Sequence, residues 1–246
     1  MPDVFEKRLR RAETLSKDWE FATALLSFFK PLAEIQREML TVLAAPESDA
    51  KARSWRAILA RLLEVVRDRG PRALAERAAT MSVEDLLVLE VRQDRDPVED
   101  FFRRVLEQPE YASTVRLEGH DTAEPRGLCP SCDLPPVASV LREDKQADTV
   151  RRTLVCPRCC NEWDFPRVLC PSCREERPEK LPRYSAQEIP WMRIEACDSC
   201  GKYLKSVDLT LNWEAEPVVD ELASTPLDVI AHEHGYTKIA PNLAGI

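Results

Sequence analysis

Residues 128–132 read Leu-Cys-Pro-Ser-Cys, and the same five residues return at 169–173, 41 positions later. The pairs Cys129/Cys132 and Cys156/Cys159 become Cys170/Cys173 and Cys197/Cys200 at that same offset of 41. Each half is one Cys-x2-Cys, a gap of 23 residues, and a second Cys-x2-Cys. This is the spacing of a four-thiolate metal site built from two knuckles. Two residues between cysteines permit a tight turn whose backbone N–H groups face the sulfurs, and two such turns enclose a tetrahedral ion. Eight unrelated buried thiols would not share one period. The repeat predicts one site from Cys129, Cys132, Cys156 and Cys159 and a second from Cys170, Cys173, Cys197 and Cys200. A cross-pairing of Cys156/Cys159 with Cys170/Cys173 stays geometrically open on spacing alone. So does the metal: zinc would make the sites structural, and iron would add a one-electron couple tuned by hydrogen bonds to sulfur.

Composition narrows the class. Of 246 residues, 44% are apolar and 32% charged, as in soluble globular chains. The net charge is −8, and residues 125–213 carry 14 Lys/Arg against 13 Asp/Glu. A nucleic-acid ribbon presents a basic surface, so no nucleic-acid partner is expected. The opening Met1-Pro2-Asp3-Val4-Phe5-Glu6-Lys7-Arg8 lacks an apolar signal core, and no stretch approaches 18 apolar residues. A cytoplasmic location without a membrane span is expected, and a reducing compartment suits metal-bound cysteines. Cys160, the ninth thiol, reads as a partly buried apolar residue beside its knuckle, with a reactive or sulfur-handling thiol as the alternative. No phosphate-binding loop, Ser/His/Asp trio or open three-ligand metal site is present, so the chain is not expected to be an enzyme.

The order of segments predicts an α+β chain: a helical domain over 1–124, four-cysteine modules over 125–166 and 167–213, and a helical tail over 214–246. Leu25, Phe28, Phe29, Leu32, Ile35, Met39 and Leu43 form a stripe at helical spacing, with a kink or break expected at Pro31. Trp55, Ile58, Leu59, Leu62, Leu63 and Val66 form another, stopped at Gly70-Pro71. Ser82 and Asp96-Pro97 read as helix starts. Four or five antiparallel helices in a bundle are expected, with the pairs Phe28/Phe29 and Phe101/Phe102 as places where a face exceeds what the core can cover. The stretch 118–127 reads as the boundary, and His120 within it as a solvated loop histidine. Short alternating runs at 137–141, 152–155, 191–194 and 203–209 read as strands. Units that small build little core, so bound metal is expected to supply much of their folding free energy, on the order of 10 kcal/mol per site in small zinc peptides. Glu216-Pro217 and Thr225-Pro226 open two closing helices. His232 and His234 lie two apart, not the four of a zinc-protease helix, and read as a helix-end pair.

The cysteine pattern and its flanks resemble the bacterial formate dehydrogenase accessory protein family, FdhE. The matching stretches are Cys129-Pro-Ser-Cys132-Asp-Leu-Pro-Pro-Val137, Leu154-Val-Cys156-Pro-Arg-Cys159-Cys160-Asn-Glu162-Trp163 and Arg167-Val-Leu-Cys170-Pro-Ser-Cys173. Further on come Arg193-Ile-Glu195-Ala-Cys197-Asp-Ser-Cys200-Gly-Lys-Tyr203-Leu-Lys205, Glu216-Pro217-Val-Val-Asp220-Glu-Leu222, Leu227-Asp228, Gly235-Tyr236 and Pro241-Asn242. The resemblance is sharpest over 125–246. It implies two tandem rubredoxin-like modules behind a helical domain, and the eight paired cysteines as ligands of two iron ions, with zinc the alternative. It further implies an accessory protein that engages the catalytic subunit of formate dehydrogenase during its assembly, without being an enzyme. Cys160 departs from the small residue expected after a knuckle. Read from the residues alone, a rubredoxin-type one-electron carrier and a structural zinc-ribbon interaction protein compete with the assembly factor. One site and no helical half would suffice for a carrier.

Overall fold

The computed structural model describes residues 4–89, 96–114, 125–145, 147–243 and 245. They fall into two compact units: the region up to Thr114, together with Leu243 and Gly245, and the region ending at Asn242. His120 and the stretch 118–124 lie outside the described residues. The α+β class holds: helices, then a mixed sheet carrying both cysteine clusters, then helices.

The first unit contains six α-helices among the described residues: α1 (Val4–Asp18), α2 (Thr23–Ala44), α3 (Asp49–Arg69), α4 (Arg72–Ala78), α5 (Val83–Leu87) and α6 (Pro97–Thr114). The count exceeds the expected four or five because α4 and α5 are short helices between Gly70-Pro71 and Asp96. The caps fall where the sequence puts them. Ser82 and Asp85 form a reciprocal capping box on α5. The Asp96 carboxylate accepts from Val98 N–H at 2.8 Å. The central helix α2 packs against α1, α3 and α6. It runs through Pro31 without ending. The carbonyl that Pro31 deprives of a partner belongs to Ser27, which is exposed, so water can take the missing bond. The expected surplus of aromatic surface is corrected here. Phe28, Phe29, Phe101 and Phe102 are all buried, and Phe28 stacks on Phe101 with centroids 6.0 Å apart.

The second unit is built on seven strands: β1 (Ala138–Asp144), β2 (Thr149–Val155), β3 (Glu162–Asp164), β4 (Arg183–Ser185), β5 (Met192–Cys197), β6 (Lys202–Asp208) and β7 (Thr237–Lys238). They hydrogen-bond in the order β3-β2-β1-β6-β5-β4, with β7 on β6. The 41-residue repeat carries into this order. Shifting β1, β2 and β3 by 41 places them on β4, β5 and β6. Each half is thus an antiparallel three-stranded meander, and the two are laid side by side through a parallel pairing of β1 with β6, Ala138↔Lys205 to Leu141↔Asp208.

That seam changes the expectation of two small units with little core. The middle strands are buried on both faces, which is why β1 and β6 lack a polar–apolar alternation. One face of β6 presents Tyr203, Lys205 and Val207, with α7 (Pro217–Ala223) packed against β1 and β6 and α8 (Thr225–Glu233) against β5. On the other, Leu204 joins Leu154, Phe165 and Leu169 in a core cluster. The closing helices begin at the expected prolines, and Glu216 caps α7 by accepting from Val219 N–H at 2.9 Å.

Candidate metal centres

The second cysteine pair of each cluster lies in the turn that ends a strand, and the first pair lies in the loop ahead of the meander. Cys156 follows β2, and Cys197 ends β5. In the first cluster the Sγ atoms of Cys129 and Cys159 are 3.4 Å apart, those of Cys132 and Cys156 3.3 Å, and those of Cys132 and Cys159 3.9 Å. In the second, Cys170 to Cys200 is 3.8 Å and Cys173 to Cys197 is 3.6 Å. Within each group all four sulfurs lie within 4.8 Å of one another. Metal–sulfur bonds of about 2.3 Å in a tetrahedron put sulfurs about 3.8 Å apart, whereas a disulfide needs about 2.05 Å. All nine cysteines are free thiols. The fold therefore gathers the groupings that follow the repeat, and does not make the cross-pairing.

Backbone N–H groups face these sulfurs with the repeat's regularity. Ser131 N–H points at Cys129, Leu134 at Cys132, Asn161 at Cys159, Ser172 at Cys170, Glu175 at Cys173 and Ser199 at Cys197. Arg158 N–H lies 3.4 Å from the Cys156 sulfur. In each case the donor sits two residues after the sulfur, and such bonds favour the thiolate. The residue after each second cysteine is left-handed: Asp133 at φ 55°, Cys160 at 56°, Arg174 at 64° and Gly201 at 65°. A small residue is expected at Cys160 for this reason: the knuckle closes in a conformation that only glycine adopts without strain.

Four thiols in contact cannot all ionise without a cation. Hydrogen bonds from its neighbours, Cys132 first, hold Cys129 well below the usual thiol range, while contact with Cys129 pushes Cys156 far above it. Burial raises Cys170. A divalent ion removes that conflict by keeping every sulfur deprotonated. The clusters differ in exposure: Cys173 is exposed, whereas the first cluster shows only Cys132 partly.

Spacing did not reveal two charge networks, one beside the second cluster and one between the sheet and the closing helices. Glu195, on β5, accepts from Arg152 on β2 at 2.6 Å, from Ser139 on β1 at 3.1 Å and from Arg193 at 2.8 Å. Arg152 also donates to the carbonyls of Pro166 and Leu169, just before Cys170. One residue of the first module thus clamps the lead-in to the second cluster. Against the upward pull of burial, Arg152 and Arg193 bring the Glu195 carboxyl down to about 2. Gly127 fits the same junction, because a Cβ there would meet the Pro171 carbonyl oxygen at 2.0 Å.

On the other face, Lys205 reaches Asp228 at 2.6 Å and Glu221 at 3.1 Å, and Tyr203 donates to Asp228 at 2.7 Å. Lys238 joins both acids. Burial lowers the Lys205 ammonium, opposed by Glu221, and two lysines against two carboxylates leave the group electrically balanced. His232 sits edge-on to Tyr203, and His234 ends α8 beside Tyr184, so neither enters a cysteine cluster. The signal for both networks was charged residues inside strands otherwise buried, Arg193-Ile-Glu195 and Tyr203-Leu-Lys205.

This geometry has relatives. Residues 128–167 match the family model described as FdhE, central domain, and residues 168–244 match FdhE, C-terminal domain. The crystal structure of the FdhE protein from Pseudomonas aeruginosa superposes with a TM-score of 0.71 at 25% identity, over 98% of this chain and 95% of that one. Residues 128–244 thus carry the central and C-terminal domains of the FdhE family. A protein named FdhE homolog from Stutzerimonas stutzeri (strain A1501) is 37% identical over 121 residues, covering 49% of this chain and 39% of that protein. Its Pseudomonas aeruginosa counterpart is 36% identical over 126 residues, 49% of this chain and 40% of that protein. These curated relatives are therefore matched over about two fifths of their length. In the FdhE fold the sequence likeness to them lies in about half the chain, while the structural likeness extends over nearly all of it.

Proposed function

We propose that this chain is an accessory protein for the assembly of formate dehydrogenase, and that it binds the catalytic subunit through a scaffold held by two metal ions. The observation that carries the reading is the pair of four-sulfur clusters set into one sheet within the span that matches the FdhE domains. In it the ligands are Cys129, Cys132, Cys156 and Cys159 for one ion and Cys170, Cys173, Cys197 and Cys200 for the other. Iron is the metal we assign, with zinc the alternative; the sulfur geometry suits either. Iron in such a site supplies a one-electron couple, and the N–H groups directed at the sulfurs would set its potential. The protein acts by binding rather than by turnover, in the cytoplasm, with the helical region 1–124, the modules 125–166 and 167–213 and the tail 214–246 as its parts.

The test is capture of a formate dehydrogenase catalytic subunit by the metal-loaded chain under reducing conditions. Retention that is lost in a Cys170→Ser/Cys173→Ser variant, while the helical unit stays folded by circular dichroism, is expected. Absence of binding, combined with reversible one-electron reduction of the free protein, would instead favour the carrier reading. Exposure of Cys173 is the feature that would serve such a carrier.

A further inference from the structure

A cleft of about 30 Å³ opens beside Cys170 and Cys197. Arg152, Arg167, Arg183 and Lys202 line it, and Glu195 is the one carboxylate among its lining residues. That carboxylate is already spent, since Arg152, Arg193 and Ser139 occupy both its oxygens. Among the described residues, Arg167, Arg183 and Lys202 form no ion pair. Arg152 is 4% exposed, and its Nε is buried with no acceptor in reach. An orphaned guanidinium N–H in a cleft of net positive charge is costly unless an anion or water meets it. Burial, then repulsion from Arg193, already lowers the Arg183 guanidinium, with Arg167 and Arg152 adding to the effect.

We propose that this cleft binds one small oxyanion group of carboxylate size, held by Arg183, Arg167 and Lys202 over the buried Nε of Arg152. Guanidinium groups suit that ligand, because two N–H donors match two carboxylate oxygens. The volume suits it too, since a space of this size holds a few heavy atoms and excludes a nucleotide or a sugar. The group can belong to a free ion or to an acidic side chain of a partner, and in either case it sits next to the second cysteine cluster. Occupancy would thus be sensed at Cys170 through Arg152 and the Leu169 carbonyl it holds.

The experiment titrates the metal-loaded full chain with acetate, and separately with N-acetylglutamate N-methylamide, at fixed ionic strength set with sodium perchlorate. The melting temperature and the absorption of the metal sites are read at each point. A saturable rise in melting temperature is expected with wild type, and an affinity weakened about tenfold in Arg183→Gln and in Arg167→Gln. Both variants should fold and keep both metals, because neither side chain makes an ion pair. Response to acetate alone assigns a free ion, and response to both assigns a carboxylate that a side chain can supply. Two results would overturn the proposal. One is a wild type insensitive to both probes. The other is loss of the second metal in these variants without any anion dependence, which would assign the cations to balancing thiolate charge.

Discussion

At the scale of single residues, the knuckles depend on backbone conformation as much as on sulfur. Gly201 closes its knuckle at φ 65° with nothing within 4 Å of where a Cβ would stand. Gly201→Ala therefore isolates backbone strain from packing, and should lower unfolding free energy by about 1–2 kcal/mol with both metals retained. Denaturant titration with elemental analysis checks it; loss of a metal would show that the strain reaches the sulfurs. Cys160→Gly should act in the opposite sense, since Cys160 holds φ 56° in the equivalent place. The cysteine pattern made the sulfurs legible from sequence, and the repeated period pointed to their grouping, but only the fold set aside the cross-pairing of Cys156/Cys159 with Cys170/Cys173. The left-handed turn was half legible, as an oddity at Cys160. Asp133 and Arg174 gave no such warning, because their side chains do not announce a positive φ.

At the scale of elements, helices were readable where periodicity agrees with a cap or a stop, as along α3, α5 and α6, whereas in α2 the apolar stripe alone carried the signal against Pro31. Strands of three residues or fewer, β3, β4 and β7, were not, since so short a run has no period to detect. The β1–β6 seam was equally hidden: pairing between residues 67 positions apart is a property of the sheet, not of either strand. Glu195 is the charge on which that seam turns. Its carboxyl stands at about 2 when folded against an ordinary 4.5. A depressed carboxylate stabilises the fold above its unfolded value, and that contribution is lost as pH falls from about 4.5 toward 2. The difference corresponds to about 3 kcal/mol. Stability of wild type should thus decline over this window more steeply than that of Glu195→Gln, measured as the difference between the two so that acid release of metal cancels. The variant itself should lose about 3–5 kcal/mol at neutral pH, because Arg152 stays buried without its partner. Parallel pH profiles for the two proteins would contradict this role.

At the scale of the whole molecule, a sequence duplication has become one continuous sheet rather than two independent modules. Each half keeps its own four sulfurs, yet the halves share Leu204, Leu154, Phe165 and Leu169 as core and Glu195 as a bridge. Metal bound in either cluster would then stabilise the same unit as the sheet, and the helical unit has buried residues of its own. The claim beneath all of this is that each cluster closes on one ion. Metal content of anaerobically purified protein tests it most directly, beside a Cys129→Ser/Cys132→Ser variant of the same chain. Two equivalents per chain in the wild type and one in the variant are predicted. A single equivalent in the wild type, or two surviving in the variant, would contradict the account.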